Sequence, residues 1–202
     1  MPENNEYLEE IREKRSTGIS GLDFQLGGGY PEGTSIVVYG TALTGMDRMA
    51  VQFWKAEETA GTYLMLDAAP VEGMIKPSGS DPGTLVPLME GDRVVVDSLS
   101  TVLLEHGIDA AIHCLTDGVD SVRRQGGNVM FLLYSGIHTP LEELRIIRAA
   151  DIFMTLTETT HGNEIERRLA INKIPHMDVP QRVYPYNVMK EGLEFSTTAR
   201  VV

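Results

Sequence analysis

Apolar and polar positions along this chain fall into blocks whose period switches between that of a strand and that of a helix. Residues 34–39 (T-S-I-V-V-Y) form a short run rich in β-branched side chains that ends at Gly40. From 47 to 60 the spacing of Met49, Ala50, Phe53 and Trp54 predicts an amphipathic helix. Further apolar runs at 62–66, 93–96, 128–134 and 152–157 predict strands, and residues 109–125 and 141–149 predict helices. The run at 128–134 (N-V-M-F-L-L-Y) is apolar at every position in its middle, as expected for a strand buried on both faces.

Beyond Glu164 the pattern changes. Residues 165–174, 183–188 and 193–196 read as antiparallel strands that extend one edge. The fold class that follows is α/β, a mostly parallel central sheet flanked by helices with antiparallel C-terminal edge strands. Ahead of the first strand, residues 3–14 predict a short charged helix with Tyr7, Leu8 and Ile11 as its apolar stripe. Residues 16–33, rich in Gly and Pro, predict loop. The expected division is a helical extension over 1–15 and a single domain over 16–202. Asp81-Pro82-Gly83 predicts a turn, and 72–89 carries the weakest pattern.

A length of 202 residues with 42% hydrophobic content suits one domain with its own core. No apolar run approaches the roughly 20 residues that cross a bilayer, and the polar, acidic start resembles neither a signal nor a transit peptide. A cytoplasmic protein without membrane insertion is expected. The one cysteine, Cys114, lies in an apolar helical stretch and is assigned to the core, as are most of the ten methionines. A formal net charge of -12 works against nucleic-acid binding, which relies on Lys and Arg at phosphates. The pairs Arg123-Arg124 and Arg167-Arg168 are assigned to solvated surface. None of the five histidines stands in H-x-x-x-H or H-x-H, so no zinc site is expected.

The chemically informative segment is Gly40–Asp47, G-T-A-L-T-G-M-D. It joins the first strand to the first long helix, where a phosphate-binding loop, G-x-x-x-x-G-K-[ST], belongs. Gly40 and Gly45 keep the spacing, with Thr41 and Thr44 between them. Met46 stands where the lysine should be and Asp47 where the metal-holding hydroxyl should be. Backbone N–H groups at the start of the helix can still face an anion. The lost cation and the added carboxylate oppose one. Two unit charges ~5 Å apart at an effective dielectric near 20 interact by roughly 3 kcal/mol.

The ordered set Thr17-Gly18-Ile19-Ser20-Gly21-Leu22-Asp23, then Gly27-Gly28-Gly29-Tyr30-Pro31-Glu32-Gly33 and Gly40, resembles the entry to the ATPase core of RecA-like P-loop proteins of the KaiC and archaeal RadA group. Val94-Val95-Val96-Asp97-Ser98-Leu99 is similar to that group's Walker B strand, and A-D-I-F-M-T-L with R-R-L-A-I-N-K-I-P resembles its closing strands. The resemblance extends from about Ser16 to the C-terminus and includes single-domain KaiC-like and FlaH-like proteins. It implies the RecA-like P-loop NTPase fold and, in working members, ATP with magnesium between subunits.

Four departures cut against that activity. Besides Met46 and Asp47, the acids that activate water are reduced to Asp67 followed by Ala68. The late K-x-R pair that reaches a neighbour's phosphates is reduced to Lys173 with Pro175. Asp67 and Asp97 are then vestigial acids, Lys173 is a candidate contact in trans, and no cofactor is expected, with ATP and magnesium as the alternative. For Asp47 the first expectation is that it caps its own helix and closes the loop. The others are that Asp47 and Asp97, near Asp67, hold a divalent cation, or that nucleotide binds regardless. Asp97 also reads as a strand-end acid bonding N–H groups of the next turn. The expected function is a non-catalytic pseudo-ATPase acting in regulation or signalling through a protein partner or itself, through the RecA-type interface. A weak ATPase and a DNA-repair accessory are the alternatives.

Overall fold

The computed structural model describes residues 13–57 and 61–195. Most of the helix predicted at 3–14 lies outside the described residues. Its end is not helical: Lys14–Arg15 is a short strand, β1, paired antiparallel with β2, Tyr30–Pro31.

The main sheet has eight strands: β3 (Ser35–Gly40), β4 (Gly61–Met65), β5 (Arg93–Asp97), β6 (Asn128–Tyr134), β7 (Ile152–His161), β8 (Glu164–Lys173), β9 (Tyr184–Met189) and β10 (Gly192–Phe195). Their spatial order is β10-β9-β8-β7-β3-β6-β5-β4. Strands β3 to β7 run parallel, and β8 to β10 continue the β7 edge antiparallel.

Side chains alternate across this sheet and fill two cores. On β3, Ile36 and Val38 join one cluster, with Met49, Ala50 and Phe53 of α2 (Met46–Trp54), while Val37 joins the other, with Val102 and Leu115 of α4 (Leu99–Leu115) and Ile146 of α6 (Pro140–Ala149). Both faces are therefore dry, which is why β3, β5 and β6 read as continuous apolar runs. On α2 the buried set Met46, Met49, Ala50 and Phe53 follows i, i+3, i+4, i+7 spacing. Each fully buried large apolar side chain contributes about 1.5–3 kcal/mol. Cys114 is buried in the second core, where burial pushes its thiol up to about 12.

Three elements differ from expectation. Residues Ser20–Gln25 form a helix, α1, where loop was expected. Asp23 accepts from Ser16 Oγ at 2.5 Å and from the Thr17 N–H at 2.6 Å, so it clasps the preceding loop. Gly18 has φ +83°, and a Cβ there would lie 2.3 Å from the Gln52 carbonyl oxygen. The T-G-I-S-G-L-D segment is thus closed on itself by Asp23 and seated against α2 at Gly18. Asp23→Ala should lower stability by about 1–3 kcal/mol, visible as a lower urea midpoint; an unchanged midpoint would sink this role.

The helix expected at 109–125 begins ten residues early, at Leu99, and stops at Leu115. Ser98 caps it by accepting from the Thr101 N–H, and Gly107 kinks it. Residues Asp120–Arg124 form a separate short helix, α5. Asp81-Pro82-Gly83 is the capped start of a one-turn helix, α3 (Pro82–Leu85), with Asp81 accepting from the Thr84 N–H. Among the described residues no helix is long and apolar enough to cross a membrane.

Candidate functional site

The loop 40–45 sits at the C-terminal end of β3 and feeds α2. Gly45 is the N-cap in left-handed conformation, φ +81°, and a Cβ there would lie 2.9 Å from Val188 Cγ2 of β9. The loop is braced from the sheet side. Thr44 Oγ1 donates to the Thr41 carbonyl at 2.7 Å, Tyr186 OH donates to the Thr44 carbonyl at 2.8 Å, and Arg167 Nε reaches the Leu43 carbonyl at 3.4 Å. Arg167, assigned to solvated surface from the sequence, also pairs with Glu158 at 2.7 Å. Arg123 likewise pairs with Asp151, at the foot of β7.

Beside the loop lies a cavity of about 340 Å³. Its walls are Val51, Tyr63, Met65, Val71 and Met74; its charged groups are Asp47, Arg48, Asp97, Lys190 and Glu191. Asp97 comes from the end of β5 and is 3% exposed. Its Oδ2 accepts from Tyr63 OH at 2.8 Å, and its Oδ1 is buried without a hydrogen-bond partner among the described residues. Burial pushes the Asp97 carboxyl up to about 6, Asp67 and Asp47 push the same way, and the Tyr63 hydroxyl opposes them. Arg48 is committed elsewhere: it donates to the Met189 and Lys190 carbonyls at 2.8 and 2.9 Å, holding the β9–β10 turn on α2.

The structure brings Asp47 and Asp97 to one cavity and leaves other candidates apart. Met46 is 1% exposed and packs in the core, so position 46 directs nothing toward a ligand. Asp47 is exposed in the first turn of α2, whose N-cap is Gly45, and its carboxylate makes no hydrogen bond among the described residues, so the expected cap that closes the loop is not formed. Asp67 spends both carboxylate oxygens on hydroxyls at the start of α4: Ser98 at 2.7 Å, and Thr101. Asp97 bonds no N–H of the next turn; Ser98 does the capping there. Lys173 donates to the Ile147, Arg148 and Ala150 carbonyls at the C-terminal end of α6, where a cation suits the helix dipole. Among the described residues no group of three His, Cys, Asp or Glu side chains is placed to hold a metal ion.

Sequence reasoning missed Tyr63, Tyr186 and the turn at 190–192. The available signal was that an interior tyrosine hydroxyl on a strand needs a partner.

ATP with magnesium is the ligand a phosphate-loop fold implies. The residues present do not fit it. Position 46, where the loop pattern has a cation, holds a core methionine, and the metal position holds one exposed carboxylate beside a buried one already bonded by Tyr63.

No family model matches the chain, and no curated protein does. Among solved structures the chain is similar to a KaiC-like protein from the hyperthermophilic archaeon Pyrococcus horikoshii, with a TM-score of 0.73 at 17% identity, covering 92% of this chain and 99% of the other. The fold is therefore the KaiC-like form of the RecA fold.

Proposed function

We propose that this domain is a RecA-fold protein withdrawn from ATP turnover, which acts by binding, through contacts with a protein partner or a second copy of itself. The observation that carries this reading is the burial of Met46, with Asp47 and Asp97 sharing the adjoining cavity. A triphosphate entering there meets two carboxylates and no cation from the loop. What supports protein contact is a set of exposed apolar side chains on neighbouring helices: Leu104 of α4, and Leu141 and Leu144 of α6. The net charge of -12 argues against a DNA-repair role.

One observation favours a second reading, an ATP sensor. Lys190 lines the same cavity and its side chain makes no hydrogen bond or ion pair among the described residues, so its ammonium is available to a phosphate.

Calorimetric titration with ATP and magnesium separates the two. No saturable binding below the millimolar range is expected. Micromolar binding lost in Lys190→Ala would establish the sensor, and turnover abolished by Asp97→Ala would establish an enzyme. Self-association is expected to appear as concentration-dependent mass in light scattering after gel filtration; a monomer across the whole range would leave only a separate protein as partner.

A further inference from the structure

The cavity beside α2 has a chemistry of its own. At its floor is a carboxylate that is 3% exposed, with one oxygen held by Tyr63 and the other without a donor among the described residues. A buried acceptor left this way costs free energy until something donates to it. The walls above it are Val51, Met65, Val71, Met74 and the Tyr63 ring. We propose that this cavity binds a small organic cation, an ammonium or guanidinium group on a short apolar stem, with Asp97 as its buried counter-ion. The inference rests on the proposal above that the site no longer receives a triphosphate.

Several features select this class of ligand. Asp97 lines the cavity, and an N–H donor carrying positive charge that reaches its carboxylate forms a charge-assisted hydrogen bond, stronger than a neutral one. The methionine thioethers and aliphatic walls suit a methylene stem. A bare divalent cation suits the cavity less well, because Mg²⁺ and Ca²⁺ take six or more oxygen ligands and most of the wall is hydrocarbon. The volume of about 340 Å³ sits at the small end of ligand cavities. At the mouth Asp47 and Glu191 add negative charge against Lys190, while Arg48 is occupied by the Met189 and Lys190 carbonyls.

The test uses the whole chain near neutral pH, with agmatine as the probe in calorimetry and methyl NMR of labelled methionines. Saturable binding is expected, with chemical-shift changes at Met65 and Met74 and not at the core methionines Met130 and Met154 of β6 and β7. Asp97→Asn should weaken binding at least about tenfold, since a charge-assisted contact is replaced by a neutral one. Val71→Lys, at a position 63% exposed, should do the same by placing a competing ammonium at the mouth without touching the core. A blocked arginine bound in preference to agmatine identifies a polypeptide side chain as the natural source, and the reverse identifies a free amine. No saturable binding at tens of millimolar agmatine, or binding indifferent to both variants, overturns the proposal. A parallel titration with ATP and magnesium keeps the two readings apart. Tight ATP binding removes the non-catalytic function, and failure of agmatine with no ATP binding removes only the cation site.

Discussion

Between about pH 4 and pH 8 the stability difference between Asp97→Asn and the parent protein is expected to move by about 3 kcal/mol in favour of the variant. Burial raises the folded-state pKa of Asp97 to about 6, above the ordinary aspartate value of 3.8. Below the lower value the group is protonated in both folded and unfolded chains and contributes no pH dependence. Above the upper value it is ionised in both, and the folded state carries the penalty of a desolvated charge. Stability from this group is therefore lost as pH rises from about 4 through about 6 and is regained as pH falls. An asparagine is neutral throughout, so it escapes the loss. It also leaves an amide N–H where Oδ1 has no partner, which sets a constant offset but no slope. Carboxylates held low, such as Glu57 beside Arg93, act in the opposite direction in both proteins and cancel in the difference. Urea denaturation of both proteins across this range measures it. A flat difference would mean that Asp97 is solvated or permanently neutralised, and the account of the cavity floor would be wrong.

The paired change Met46→Lys with Asp47→Thr is expected to raise affinity for ATP with magnesium by at least about a hundredfold. It restores one attraction and removes one repulsion, each roughly 3 kcal/mol at ~5 Å and an effective dielectric of 20. The gain comes with a loss of fold stability of about 1–3 kcal/mol, because the buried end of Met46 leaves the core. Calorimetry with ATP reads the first effect and the melting temperature reads the second. A folded double variant that gains no affinity would show that the bracing of the loop by Tyr186 and Val188, and not the two side chains, bars the nucleotide.

The parallel sheet was legible because its strands are apolar on both faces. The runs at 34–39, 93–96 and 128–134 differ from β3, β5 and β6 by at most one residue at an end. Helix starts were less legible. Ser98 closes a strand and caps a helix at the same point, so Leu99-Ser100-Thr101 carried no helix signal of their own; Asp81-Pro82 is a cap followed by an N1 proline and read as a turn. In the site, the altered residues at 46 and 47 were visible by spacing alone. Their surroundings were not. Arg48, Lys190 and Glu191 meet only because β9 and β10 fold back over α2, and the bond from Tyr63 to Asp97 joins different strands. No local pattern encodes such meetings.

The bracing of the loop also accounts for what this sequence kept and what it gave up. A side chain at Gly45 would strike Val188, and one at Gly40 would lie 2.8 Å from Thr44 Oγ1 and 3.0 Å from the Leu156 carbonyl oxygen. Both glycines are fixed by neighbours that have nothing to do with nucleotide. A lysine or threonine at the next two positions answers only to the phosphates. If the domain is withdrawn from ATP turnover as proposed, positions 46 and 47 are released from that constraint while Gly40 and Gly45 stay held by their neighbours, and the loop keeps a structural job.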